Sequence, residues 1–251
     1  MMTKVKTEAE IQAMREGGKM LAAVLETLRR KIKSGMTTKD LADVASRELK
    51  RLGGKPAFLG YEGFPDVLCV SVNDQVVHGI PSKKLTISDG DIVGLDFGVL
   101  HKDMITDAAI TVIVGKPESP RIKKLVDATE QGLMKGVDAI RAGVRVGDIA
   151  STIQGVLEQQ GLGIVRDFVG HGVGHQVHEE PNIPNYGNPG TGPTLKAGMT
   201  IAIEPMATLG GGDVYVADDG WTVYTQDKSL SAHFEHTVLI TEKGAEILTT
   251  I

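Results

Sequence analysis

The chain has one cysteine in 251 residues, Cys69, which excludes an intrachain disulfide. A lone thiol fits a reducing compartment, so a cytoplasmic location is expected. No apolar run approaches the roughly 18 residues of a membrane-spanning helix. The opening Met-Met-Thr-Lys-Val-Lys-Thr has no apolar centre of the kind a secretion signal needs. Positive charge is not in excess: 27 Lys and Arg against 32 Asp and Glu leave a net charge of −5. That balance, with no long basic run, argues against a nucleic-acid surface. Low-complexity segments and linkers are also missing. Residues 182–196, with three prolines and three glycines, read as a loop inside the domain.

What is present is acidic residues in unexpected places. Asp96 ends Asp91-Ile-Val-Gly-Leu-Asp, and Glu204 ends Met199-Thr-Ile-Ala-Ile-Glu. Asp107 starts Asp-Ala-Ala-Ile-Thr-Val-Ile-Val, and Glu235 starts Glu-His-Thr-Val-Leu-Ile. Carboxylates on core-facing strands are costly to bury unless something compensates them. Four of them with one imidazole, His171 in Gly170-His-Gly-Val-Gly174, suit two divalent cations. Mainly oxygen ligands favour Co, Mn or Fe, with Zn also open.

The chain repeats itself. Gly35-Met-Thr-Thr-Lys-Asp-Leu-Ala recurs as Gly143-Val-Arg-Val-Gly-Asp-Ile-Ala, and the helical patterns that follow end at Gly53 and Gly161. The same offset of 108 carries Asp89-Gly-Asp-Ile-Val-Gly-Leu-Asp96 onto Ala197-Gly-Met-Thr-Ile-Ala-Ile-Glu204. Past that point the offset grows to 128 and takes Asp107 onto Glu235. The expectation is one catalytic domain, 1–251, built from two halves of about 1–118 and 119–251, each supplying two carboxylates. Each pair should close across its own ribbon. Asp96 and Asp107 centre between His101 and Lys102, which makes them directly opposed if the hairpin has no bulge. Glu204 and Glu235 centre on Asp219-Gly220, a strong hairpin-turn pair.

Four helices are readable: one from the capping box Thr7-Glu-Ala-Glu10, one capped by Thr37 or Thr38, one opened by Ser119-Pro120, and one over about 148–160. Strands are expected near 66–72, 76–80, 91–99, 105–114, 164–169, 199–208, 213–217, 221–226 and 234–241. Strands that cluster rather than alternate with helices make this an α+β protein.

Gly170-His-Gly-Val-Gly-His-Gln-Val-His178-Glu-Glu-Pro181 packs three histidines among glycines that admit close backbone approach. His78, in Val76-Val-His-Gly-Ile-Pro81, becomes a candidate substrate contact beside a metal site. His101 and His233 read as solvated. His236 follows Glu235 and faces away from it on a strand. The nine methionines read as core.

With these residues placed, the chain resembles the type I methionine aminopeptidases over essentially its whole length. The motifs that carry the resemblance are His78-Gly-Ile-Pro81, Gly170-His-Gly-Val-Gly174, His178-Glu-Glu-Pro181, Ile203-Glu-Pro-Met206, Asp219-Gly-Trp221 and Glu235-His-Thr237. The resemblance implies the pseudo-twofold "pita bread" fold, an antiparallel-rich curved sheet with helices on its outer face. It implies two divalent metal ions, with Asp96 on one, His171 and Glu204 on the other, and Asp107 and Glu235 bridging. It implies catalytic roles for His78, His178 and Glu204: an amide contact, an oxyanion donor and a proton acceptor. Tyr61, Phe64, Cys69 and Trp221 would border the methionine pocket with His78 and His178. Glu62, Phe64, Phe58 and Val177 depart from the residues common there. The implied activity is removal of N-terminal methionine when residue two is small. The implied partners are nascent polypeptide N-termini near the ribosome, met by a monomer that binds neither nucleic acid nor membrane. The alternatives are a proline-specific aminopeptidase or prolidase on the same scaffold, and a non-catalytic binding protein that kept the fold.

Overall fold

The structure, a computed structural model, describes residues 3–250. Four α-helices form where the sequence signals place them: α1 (Glu8–Lys31), α2 (Thr38–Leu52), α3 (Pro120–Asp138) and α4 (Val146–Gln159). At the start of α1, Thr7 N–H donates to Glu10 at 2.7 Å and Glu10 N–H donates back to the Thr7 hydroxyl at 3.3 Å. Each half of that exchange satisfies a backbone or side-chain group that would otherwise lack a partner at a helix start. Thr37 and Asp40 repeat the box at α2, so Thr37 is the cap. Helix α4 begins two residues before Asp148, whose carboxylate accepts the Arg145 N–H at 3.0 Å.

The strands in chain order are β1 (Lys55–Pro56), β2 (Cys69–Val72), β3 (Gln75–Val77), β4 (Ile92–His101), β5 (Met104–Ile113), β6 (Gly163–Ile164), β7 (Gly170–Gly172) and β8 (Glu179–Ile183). They continue with β9 (Thr200–Ile203), β10 (Met206–Thr208), β11 (Val214–Val216), β12 (Val223–Thr225), β13 (Ser231–His233), β14 (Glu235–Ile240) and β15 (Ala245–Ile247). A nine-stranded sheet runs β1-β4-β5-β14-β9-β7-β8, with β2 also on β4 and β15 also on β14; every pairing is antiparallel. Two expectations change here. The strand expected over 164–169 is only Gly163–Ile164. The glycine-histidine stretch and the start of the expected 182–196 loop instead supply β7 and β8, because their backbones pair with β9 and with each other.

The repeat shows in the backbone. Gly35, Gly53 and Gly90 have φ of 87°, 85° and 93°, and Gly143, Gly161 and Gly198, each 108 positions later, have 87°, 69° and 84°. These are left-handed positions that side chains disfavour. The isolated bridge Thr37↔Thr86 recurs as Arg145↔Thr194. The halves meet where β5 pairs with β14, Ala109 opposite Glu235.

Helices cover one face of the sheet and the carboxylates take the other. Val93, Leu95, Phe97 and Val99 of β4 and Ala108, Ile110 and Val112 of β5 pack into the α1/α2 layer with Leu21, Val24, Leu41 and Leu49. Ile201, Ile203, Val238 and Ile240 pack with Leu125, Leu133, Ile149 and Ile153 of α3 and α4. Successive side chains alternate faces on a strand. The same alternation that buries these residues therefore turns Asp96, Asp107, Glu204 and Glu235 to the opposite side. Each large apolar side chain buried in this way contributes about 1.5–3 kcal/mol, which is what makes the face assignment firm. Of the methionines read as core, Met134 is exposed, and Met1 and Met2 lie outside the described residues.

Candidate metal centre and catalytic site

The first carboxylate pair sits on the β4–β5 ribbon, but not as expected. The turn is Lys102-Asp103, both left-handed with φ of 49° and 63°, so the ribbon centres one residue later. Asp96 faces Ala109 and Asp107 faces Gly98, which makes the two aspartates diagonal neighbours on one face rather than directly opposed. A two-residue left-handed turn matches the twist of the strands it joins, and that preference moved the register. The second ribbon follows the expected centre. Ile203 pairs with His236, Met206 with His233 and Val216 with Val223, a single register about the turn at Asp219-Gly220. It brings Glu204 level with Glu235. Thr237 joins the ribbons: its hydroxyl accepts the Asp107 N–H at 2.8 Å and donates to the Asp107 carbonyl at 2.7 Å.

His171, on β7, completes the set. Its Nδ1 donates to the Gly172 carbonyl at 2.9 Å, which leaves Nε2 free to face Glu204 Oε1 at 3.3 Å. A hydrogen bond that fixes one ring nitrogen and frees the other is the usual preparation of a metal-binding histidine. Ligand atoms of Asp107, His171 and Glu235 lie within 4.8 Å of one another.

The electrostatics of this cluster are unfavourable without a cation. Burial pushes Asp96 up to about 7. Burial first, then the neighbouring carboxylates, raises Asp107 and Glu235, and burial with Asp96 raises Glu204. Burial lowers His171 to about 3, so the imidazole is neutral. Asp96 Oδ1, Asp107 Oδ1 and Glu235 Oε1 are buried without a hydrogen-bond partner. Orphaned buried oxygens are rare in folded proteins. Oxygen-rich ligands with one neutral imidazole and no neighbouring Lys or Arg fit divalent cations, so the residues present fit the metal ions that the resemblance implies.

Above this floor lies a cavity of about 620 Å³, counting its open mouth. One wall is apolar: Phe58, Phe64, Cys69 and Val177 are buried together, with Tyr61 and Trp221 against them. Cys69 is the cross-strand partner of Asp96 on the β2–β4 pair. Phe64 meets Trp221 edge-on at 5.1 Å between ring centroids. His78 stands on the other wall in a left-handed conformation, φ 59°, edge-on to Phe168 and Trp221, and burial holds it near 4. His178 is at the mouth. Its Nδ1 lies 3.0 Å from the Tyr61 hydroxyl, its ring is 4.4 Å from that of His171, and desolvation lowers its pKa. The structure thus gathers every site residue expected from the sequence: Asp96, Asp107, His171, Glu204, Glu235, His78, His178, Tyr61, Phe64, Cys69 and Trp221 all line this cavity.

Two histidines are not solvated as expected. His233 is buried, its Nε2 3.7 Å from Glu204 Oε2 and without a hydrogen-bond partner. The signal was available: His233 and Glu235 are two residues apart and share a face. His101 packs its Nε2 at 2.9 Å from Glu16 of α1, because the β4–β5 turn lies over that helix. His236 does point away, toward Thr249 at 2.9 Å.

Comparison with known proteins agrees along the whole chain. The model of metallopeptidase family M24 matches residues 12–242. The methionine aminopeptidase of Clostridium perfringens is 47% identical over 247 residues, 98% of each chain. Methionine aminopeptidase 1 of Bacillus subtilis is 45% identical, again over 98% of each. The crystal structure of the methionine aminopeptidase of Thermotoga maritima is 48% identical and superposes with a TM-score of 0.98, each chain fully covered. A prolidase from Pyrococcus furiosus shares the fold at 25% identity and a TM-score of 0.80, with 65% of that chain covered. Matched from end to end at close to half identity, the chain belongs to metallopeptidase family M24 and, within it, to the methionine aminopeptidases.

Proposed function

We propose that this chain is a divalent-metal-dependent aminopeptidase that removes the N-terminal methionine of polypeptides whose second residue is small. The observation that carries the reading is the pairing of four carboxylates, Asp107 and Glu235 buried and Asp96 and Glu204 half-buried, and a neutral His171 with an apolar wall in one cavity. Asp96, Asp107, His171, Glu204 and Glu235 would hold two cations, with Asp107 and Glu235 between them. Co, Mn, Fe and Zn all suit the donors. Bound there, the cations supply Lewis-acid activation of the attacking water and the scissile carbonyl.

The remaining chemistry falls to side chains. Glu204 accepts the proton of the attacking water and delivers it to the leaving amine, a task open to a carboxylate that lines the cavity floor. The Tyr61 hydroxyl lies 3.0 Å from His178 Nδ1; in the tautomer with the proton on Nε2, the hydroxyl is the donor of that pair and the Nε2–H donates to the developing oxyanion. His78, held neutral by burial, contacts the scissile amide nitrogen. The buried Phe58, Phe64, Cys69 and Val177 receive the unbranched methionine side chain, and bulk at residue two is excluded sterically. The two halves act as one catalytic domain, since each ribbon supplies one carboxylate pair.

The reading extends to a monomer working in the cytosol on nascent N-termini close to the ribosome. Among the described residues no helix is long and apolar enough to cross a membrane. The prolidase alternative is less well supported, because the likeness to methionine aminopeptidases covers both chains fully. The test is hydrolysis of Met-Ala-Ser against Ala-Pro-Ser after chelation and readdition of each metal. Cleavage of Met-Ala-Ser restored by metal supports the reading. Preferential cleavage of Ala-Pro-Ser, or none of either, overturns it.

A further inference from the structure

His178 is carried by a turn, residues 174–178, that runs between β7 and β8, and the shape of this turn is set from far away in the chain. Glu179 is the pivot. Its Oε1 accepts the N–H groups of His175 at 2.7 Å and Gln176 at 3.1 Å, and its Oε2 lies 3.2 Å from Lys6 Nζ. The Lys6 side chain is completely buried, and its ammonium also donates to the Thr3 hydroxyl at 2.8 Å and the Lys4 carbonyl at 3.2 Å. All three of its protons are therefore used. The segment that delivers Lys6 is pinned to β8 and to the turn before β9: Thr3 N–H donates to the Glu180 carbonyl at 2.5 Å and Lys6 N–H to the Gly198 carbonyl at 2.7 Å. A side chain at Gly174 would collide with Lys6, so the turn and the lysine are fitted to each other. A second clamp joins His175 Nε2 to Glu10 Oε1 at 2.8 Å.

A buried ion pair of this kind contributes little net stability over a well-packed apolar substitute. Its distinctive property is geometric. It fixes two backbone N–H groups of a turn only two and three residues before His178, whose side chain has one hydrogen-bond partner among the described residues, Tyr61. We propose that Lys6, Glu179, Glu10 and His175 are positioning residues that hold His178 in place over the reacting carbonyl. This rests on the oxyanion role given to His178 above. The N-terminal segment is thereby part of the catalytic apparatus without touching substrate.

The test is a double-mutant cycle on Met-Ala-Ser hydrolysis with the metal-loaded enzyme, using Lys6→Met, His178→Ala and the double variant, with bound metal measured for each. Lys6→Met should lower kcat about tenfold with KM changed less than twofold, since small misplacement of a catalytic group costs one to two orders of magnitude. In the His178→Ala background the same change should cost less than twofold, because coupled residues are non-additive. His175→Ala, at a partly exposed position, serves if Lys6→Met does not fold, and should give a loss of about threefold that also disappears without His178. Equal losses in both backgrounds, or no loss in kcat, overturn the proposal. If His178→Ala leaves kcat intact in an enzyme that cleaves Met-Ala-Ser, the oxyanion role fails and the positioning role with it. Absence of cleavage by the parent chain instead refutes the proposed function.

Discussion

Removing the divalent cations should make the stability of this protein fall as pH rises from 7 to 8. Asp96 lies near 7, and Asp107, Glu204 and Glu235 are also raised, so the folded chain without cations keeps protons that the unfolded chain releases near pH 4. A raised carboxyl pKa costs stability as pH climbs through the interval between the unfolded and folded values. The histidines act in the opposite sense. His78 near 4 and His171 and His233 near 3 are lowered by burial, so they cost stability only below their unfolded value of about 6.5. Above pH 7 they are neutral in both states and only the carboxylates contribute. Each retained proton gives a slope of about 1.4 kcal/mol per pH unit. At 2–4 °C per kcal/mol for a chain of this size, the midpoint should drop about 3–6 °C between pH 7 and 8 for each proton retained. The assay is thermal unfolding in EDTA at both pH values, beside the metal-loaded protein, whose cations hold the carboxylates ionised. Comparing the two forms cancels every group outside the site. An EDTA midpoint that rises with pH, or a fall of equal size in both forms, would refute the reasoning.

Asp107→Asn and Glu235→Gln should each reduce turnover below about a tenth of the parent value, because each would be a ligand of the proposed cation pair. Higher activity with unchanged metal content counts against that placement. His178→Ala should retain metal and lower kcat by roughly 10²–10³, the usual loss for one oxyanion donor; loss of a bound ion would make it a ligand instead. Met-Ala-Ser should be cleaved above Leu-Ala-Ser by about 1–3 kcal/mol in kcat/KM. Val177→Phe should widen that gap by filling the wall beside Phe58 and Phe64, and equal rates for the two peptides in the parent would sink the pocket assignment. Gly18→Ala should cost about 1–3 kcal/mol in urea unfolding, because its methyl group would strike the Leu248 carbonyl and push α1 off the chain end; a neutral effect would mean that this end yields freely.

Much of this molecule is local and therefore legible. The caps at Thr7 and Thr37 and the proline at the start of α3 are hydrogen-bond and dihedral requirements met within four residues. The duplicated glycines mark left-handed backbone that few other residues adopt, so they reveal the repeat before any fold is known. Above all, a period of two along Val93, Leu95 and Phe97 decides that Asp96 faces away from the helices. By itself, then, the sequence determined which residues share the catalytic face, and their chemistry implied the cations.

Other features depended on how strands and segments meet in space. The diagonal placement of Asp96 and Asp107 follows from the left-handed turn at Lys102-Asp103, and moving a turn by one residue changes every partner along a ribbon. The conversion of His101 and His233 from expected solvated groups to a half-buried and a buried one came from α1 and from the neighbouring strands. The Lys6–Glu179 pair joins residues 173 positions apart, and no periodicity links them. Only the tertiary structure decided these, because facing is encoded by alternation along one strand, whereas register and long-range ion pairs are settled by the packing of segments that the chain brings together only when folded.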